Sequence, residues 1–312
     1  MKKIILSAAI ALSALAFTSC LSSSGESKNE ATITYGGSLC FNRVTDLQTG
    51  ETFNTSDPQY SFLLDYTNQL VTPSMSNLKL AEDASGLSFK LPSLKVNLNS
   101  QDYSYTVNGT DLIPEGSSQQ YVFSTFSFKA IDRAIRLNSG SYIYSPVYNI
   151  SYTVNDRYSV TVYPTRYDLL GTTTSNADGK DPYTSTKPIY SITLNTDKET
   201  GKKTANLTLT DAVFASGHTT MKFGVKDLPY EIMSDGSIEI KTPADEKSQI
   251  VDTAGDVKNA YLSGITIHIS VPTSRGSYIS FHANIPGMQG SASDDEYDVR
   301  ANLSYYIPTT ED

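Results

Sequence analysis

The chain has 312 residues, with 33 acidic and 24 basic side chains and a formal net charge of −9. That length suits about two domains, and the acidic balance argues against nucleic acid, whose binders carry basic patches. With 21 Tyr and 11 Phe the composition is that of a folded chain, while three His and two Cys are too few for a structural zinc or a disulfide scaffold.

Lys2 and Lys3 precede an apolar run from Ile4 to Phe17. A basic start and a short apolar run make the pattern of a secretory signal. The run is shorter than the ~20 residues a spanning helix needs. It ends in Phe17-Thr18-Ser19-Cys20. This box resembles a bacterial lipoprotein signal, in which a Cys is acylated and becomes the new N-terminus; Phe17 departs from the usual Leu. Residues 1–19 are therefore expected to be removed, with Cys20 lipidated and the membrane reached through its acyl chains. Without Lys2 and Lys3 the net charge becomes 22 − 33 = −11. Residues 20–31, rich in Ser, predict a flexible tether. The expected location is the outer membrane, at the cell surface more than facing the periplasm. Glu26 and Glu30 are an export cue interrupted by Lys28. Cys40, in Ser38-Leu39-Cys40-Phe41, is expected to be a small buried apolar residue.

From residue 32 onward polar and apolar residues alternate. Leu94-Lys95-Val96-Asn97-Leu98, Tyr158-Ser159-Val160-Thr161-Val162-Tyr163 and Ile265-Thr266-Ile267-His268-Ile269-Ser270-Val271 are clear runs. This period, with abundant Thr, Val, Ile and Tyr, predicts strands. Asn108-Gly109, Asp178-Gly179, Thr200-Gly201 and Asp235-Gly236 supply turns between them. Phe128, Ile131 and Ile135, three and four apart, predict a short helix or irregular segment over 128–137. No βαβ rhythm exists, which excludes a doubly wound parallel sheet.

An internal repeat organises the strands. Pro58, Tyr60, Ser61 and Leu64 recur 130 residues later as Pro188, Tyr190, Ser191 and Leu194. Asn77–Leu80 matches Asn206–Leu209, Ala84-Ser85-Gly86 matches Ala215-Ser216-Gly217, and Phe89-Lys90 matches Met221-Lys222. Further on, Gly140–Ile143 shares letters with Gly276–Ile279, or Tyr158 pairs with Tyr278 instead. The reading is all-β: two tandem homologous antiparallel β-barrel or β-sandwich domains, over 32–164 and 165–312. Each is long enough for its own core.

The second copy resembles a family. Ala205-Asn206-Leu207-Thr208-Leu209, Met221 to Pro229, Asp235-Gly236-Ser237-Ile238 and the Ser263-Gly264-Ile265 hairpin look like the calycin-like (lipocalin-like) lipoproteins of Bacteroides relatives. The resemblance implies a secreted, lipid-anchored β-barrel, and implies no functional residue. The insertion Pro243–Lys258 is a departure that a minimal barrel would not need.

No nucleophile elbow, phosphate loop, HExxH or dinucleotide fingerprint occurs. No enzyme, metal or cofactor is expected. His268 and His282 are predicted on the solvent face of adjacent strands, as diagonal neighbours. Asn176-Ala177-Asp178-Gly179-Lys180-Asp181 is only superficially a calcium loop, since the closing Glu is missing. Asp294-Asp295-Glu296 and Asp298 are expected to be solvated. Tyrosine is the remaining clue, because it joins apolar area to a hydroxyl at low entropy cost. Tyr142, Tyr144, Tyr148 and Tyr152 are the candidate ligand-binding residues. The expected function is a non-catalytic envelope lipoprotein that binds a small apolar ligand or a glycan. The alternative is a structural or adhesive, pilus-like surface subunit, with the strand-like ending Val299–Ile307 completing its own domain or a neighbour's.

Overall fold

The computed structural model describes residues 29–99, 104–116, 120–131, 133–177, 180–197, 199–252, 259–271, 276–286 and 296–305. Cys20 and the signal segment lie outside these. Among the described residues the protein is all-β, without an α-helix. It divides into two compact units after Pro164, except that Arg136–Tyr142 group with the second.

Unit 1 contains β1 (Glu30–Gly36), β2 (Cys40–Asp46), β3 (Thr52–Ser56), β4 (Gln59–Asp65), β5 (Leu70–Leu78), β6 (Leu87–Lys90), β7 (Leu94–Leu98), β8 (Ser104–Leu112) and β9 (Phe123–Ile131). A small hairpin of β10 (Ala134–Arg136) and β11 (Tyr142–Tyr144) leads to β12 (Val147–Val154) and β13 (Tyr158–Pro164). The sheet runs β1-β4-β5-β7-β8-β9-β12-β13-β2-β3, with β6 also on β5. Its path leaves from β1 and returns to β2, and only the 3-10 turn Gly37–Leu39 separates these two strands in the chain. The sheet is therefore curled, and broken where β1 gives way to β2.

Two expectations are corrected here. Glu30 and Ala31, expected in the tether, belong to β1 and pair with Asp65 and Leu64. Backbone pairing recruits these residues although their side chains carry no strand signal. The helix expected over 128–137 is absent: Phe126, Phe128 and Ala130 continue β9 opposite Tyr152, Ile150 and Tyr148. A buried face of period two outweighs the accidental helical spacing of Ile131 and Ile135.

Unit 2 contains β14 (Arg166–Asn176), β15 (Tyr183–Ser185), β16 (Ile189–Thr196), β17 (Lys203–Ala212), β18 (Met221–Ile232), β19 (Ile238–Lys241), β20 (Lys247–Gln249), β21 (Val251–Asp252), β22 (Tyr261–Ile269), β23 (Ser277–Asn284) and β24 (Glu296–Ser304). The order β14-β16-β17-β18-β19-β22-β23-β24 returns to β14, so eight antiparallel strands close an up-and-down barrel. Closure leaves no open edge in that circuit. β24 pairs with both β23 and β14, so the C-terminal strand completes its own barrel. The insertion after Pro243 also has a place. β19 has only four residues, and β21 and β20 pair with the stretches of β18 and β22 that it does not reach.

The two units share one plan. β1 pairs with β4, and β2 with β3 and β13. In unit 2 the single strand β14 makes all three equivalent pairings, with β16, β15 and β24. Gly37 N donates to Pro58 O at 2.8 Å, and Gly171 N to Pro188 O at 3.1 Å. Asn42 lies opposite Thr55, and Thr173 opposite Ser185. β6 and β7 likewise stand for the two halves of β18. Val71 faces Leu94 as Ala205 faces Leu228.

The repeat expected from Pro58 to Leu64 thus holds in the pairing, whereas the later matches are displaced. Met75 faces Tyr60 and Leu209 faces Tyr190, so Met75 corresponds to Leu209. Asn77 then corresponds to Asp211, and both take positive φ, 57° and 54°. Phe89 corresponds to Phe223, since they face Met75 and Leu209. The β16–β17 hairpin is longer than β4–β5, and that length shifts the equivalences of Val71, Met75, Asn77, Phe89 and Leu94. Tyr278 falls at the position of Asn149, not of Tyr142 or Tyr158.

Inside the unit 2 barrel, Leu169, Tyr190, Ile192, Leu209, Phe223, Ile240, Ile265, Ile267 and Ile269 have no exposed surface. A void large enough for water would register as exposure of its lining, so the barrel is a packed core around these residues. Eight strands suit such filling by side chains. Unit 1 is packed more with rings. Phe62 and Phe128 stack at 3.8 Å between centroids, with Tyr105 and Tyr148 against Phe128. One end is looser: Leu94 and Val96 are half-buried and Leu98 is 59% exposed.

Candidate functional site

Alternation decides what the barrel shows to solvent. In β23, Ile279 and Phe281 point inward, which turns Tyr278, Ser280 and His282 outward. In β24, Val299 and Ala301 are buried while Asp298, Arg300 and Asn302 are exposed. In β14 the outward set includes Thr172 and Thr174. Register aligns these sets: Tyr278 with Asn302 and Thr172, Ser280 with Arg300 and Thr174. The result is an open groove of about 550 Å³ across three strands, lined by Thr172, Thr174, Tyr278, Ser280, Arg300 and Asn302.

Tyr278 is 43% exposed. The ring of His268, directly opposite on β22, stacks on it at 5.3 Å and 16°. One face of the phenol is thereby backed by the imidazole. Among the described residues, the side chains of Arg300, Asn302 and Thr172 make no hydrogen bond or ion pair. The groove thus combines a positioned ring, neutral hydrogen-bonding groups and one guanidinium.

No protein-family model, curated protein or solved structure matches the chain.

The tyrosines singled out in the sequence are placed differently from one another. Tyr142 is 64% exposed and Tyr144 half-buried. Tyr148 and Tyr152 are inside unit 1, Tyr148 against Tyr35 at 5.0 Å and Tyr152 against Phe123 at 5.5 Å. Tyr152 belongs to a buried polar network. Tyr60 Oη donates to Asn42 Oδ1 at 2.7 Å and lies 3.0 Å from Tyr152 Oη. Burial raises both phenol pKa values. In unit 2 the counterpart is Tyr190 Oη, 2.8 Å from Thr173 Oγ1.

Cys40 is a free buried cysteine, and burial pushes its thiol up to about 12. It is a protonated core residue rather than a nucleophile. In a Cys20→Ser chain, a thiol reagent at neutral pH is expected to label nothing in the folded protein and one thiol after denaturation. Mass spectrometry checks this, and labelling of the folded chain would show that β2 opens readily.

His268 and His282 are not neighbours, contrary to expectation. His268 faces Tyr278, whereas His282 faces Ser263, a separation set by the register at the turn end of β22–β23. His282 instead lies 3.1 Å from Asp298 and 3.9 Å from Glu296. No group of three or more His, Cys, Asp and Glu poised for a metal occurs among the described residues. Asp178 and Gly179 of the calcium-like loop, and Asp294 and Asp295, lie outside those residues.

Proposed function

We propose that the protein is a non-catalytic cell-envelope lipoprotein with tandem calycin-like domains, anchored in the outer membrane through acylated Cys20 and displayed at the surface. In this reading its ligand is a glycan held on the outside of the second barrel. The observation that carries it is the contrast between a barrel filled by its own side chains and the open outer groove flanked by Tyr278. The groove is open to solvent along three strands, which suits an extended ligand laid on the surface rather than one enclosed in a pocket. Sugars place an apolar face on an aromatic ring and hydroxyls on neutral donors and acceptors. Thr172, Thr174, Ser280 and Asn302 supply the latter around the Tyr278 ring.

The test is a glycan array probed with the Cys20→Ser chain and with its Tyr278→Ala variant. Binding that the variant loses is the expected result. An array with no bound glycan overturns the reading. An apolar ligand is kept as a second reading for unit 1 alone, on the half-buried Leu94 and Val96 and the exposed Leu98 at one end of its interior. Native mass spectrometry of protein extracted from its host distinguishes the two, because a tightly held apolar molecule adds its mass to the chain.

A further inference from the structure

We infer that the groove on β14, β23 and β24 selects a saccharide bearing a single carboxylate, such as a uronic acid residue. This rests on the glycan reading above and adds the chemistry that Arg300 contributes. The guanidinium stands on β24 with Thr174 on one neighbouring strand and Ser280 on the other. The nearest acid along its own outward face is Asp298, which is engaged with His282 at 3.1 Å. Arg300 therefore offers its fork of donors to an incoming group, and that fork matches a carboxylate in bidentate geometry.

Charge elsewhere narrows the ligand. A mature chain with a net charge of −11, 22 − 33 without Lys2 and Lys3, repels a densely charged polyanion at distance. One cation among neutral partners suits one negative charge. The fork fits a phosphate too, but a phosphomonoester carries about −1.5 to −2 at neutral pH, so one arginine neutralises it only in part and a carboxylate in full. The neutral groups Asn302, Thr172 and Ser280 surround the guanidinium with donors and acceptors for ring hydroxyls, and Tyr278, backed by His268, supplies the stacking platform. Together these describe a ring with hydroxyls on its edge, an apolar face and one carboxylate.

The experiment uses the full Cys20→Ser chain and calorimetric titration with a glucuronyl-terminated oligosaccharide and its methyl ester, which keeps the shape and removes the charge. The acid is expected to bind about tenfold more tightly than the ester, the scale of one charge-assisted hydrogen-bonding pair. Arg300→Gln should erase that difference by weakening the acid far more than the ester, whose carbonyl can still accept a hydrogen bond from the groove. Tyr278→Ala should weaken both forms. Equal affinity for acid and ester, or a preference that survives in Arg300→Gln, overturns the carboxylate inference and leaves the glycan reading standing. Binding of neither form, with an array that is also empty, overturns the glycan reading and this inference with it. Arg300 is exposed on the barrel surface, so its variant is expected to fold, and circular dichroism of each variant establishes that.

Discussion

Replacing Phe128 with Ala is expected to destabilise unit 1 by about 3–5 kcal/mol, the range for removing a fully buried ring. Phe128 has no exposed surface and stands where four strands face the interior. It stacks on Phe62 of β4 at 3.8 Å and meets Tyr105 of β8 at 5.9 Å and Tyr148 of β12 at 6.2 Å. Its neighbours are rings locked in their own contacts, so they collapse poorly into the space left behind. The loss therefore includes a cavity term as well as the transfer of the ring. Two units need not unfold together, and a single midpoint would mislead. Hydrogen exchange read by mass spectrometry resolves the effect: peptides of β4, β9 and β12 should lose protection while those of β16 and β22 keep theirs. Leu98→Ala is the control, since a side chain 59% exposed is expected to cost within about 0.5 kcal/mol. A Phe128→Ala loss below about 1 kcal/mol would mean that the unit 1 interior is not packed as described.

What the sequence revealed follows from which interactions are local. Alternation along β13 and β22 made the strands legible, and the shared Pro58 and Pro188 marked a turn whose carbonyl does the same task in both units. The same alternation already held the answer for two tyrosines. Tyr148, Ile150, Tyr152 and Val154 share one parity, with Asn149, Ser151 and Thr153 on the other, so Tyr148 and Tyr152 belong with the core. Tyr278 could have been set on the solvent face in that way, opposite in parity to Ile279 and Phe281.

Other features depend on lengths that letters do not reveal. The register set at the turn end of β22–β23 puts His268 opposite Tyr278 and so parts it from His282, and the longer β16–β17 hairpin displaces the repeat. The groove brings together β14 with β23 and β24, which lie more than a hundred residues away in the chain. Only barrel closure makes them neighbours, and closure is a property of the whole circuit rather than of any segment.

Comparison of the two units yields the second large effect. Tyr60→Phe is expected to cost about 2–4 kcal/mol, against about 1–2 kcal/mol for Tyr190→Phe, on the scale of about 1–3 kcal/mol for each buried polar group left unmade. The removed hydroxyl of Tyr190 leaves one partner, the Thr173 hydroxyl. The removed hydroxyl of Tyr60 leaves two, Asn42 Oδ1 and Tyr152 Oη. Asn42 has no exposed surface, and its Nδ2 already lacks a partner among the described residues. The variant would therefore strand the whole amide. Adding Asn42→Val to Tyr60→Phe should recover part of the loss, because removing both partners of a buried bond costs far less than removing one. A double-mutant cycle measures that coupling.

The same residue carries a pH signature. Burial raises the Tyr60 phenol well above its ordinary range. A raised pKa contributes stability that is complete below the unfolded value, about 10 for tyrosine. It is lost as pH rises from there toward the folded value. Denaturation of the parent chain should therefore become easier above about pH 10, and Tyr60→Phe should soften that slope. Additive single and double variants, with an unchanged alkaline slope, would mean that the Tyr60, Asn42 and Tyr152 side chains do not act as one network.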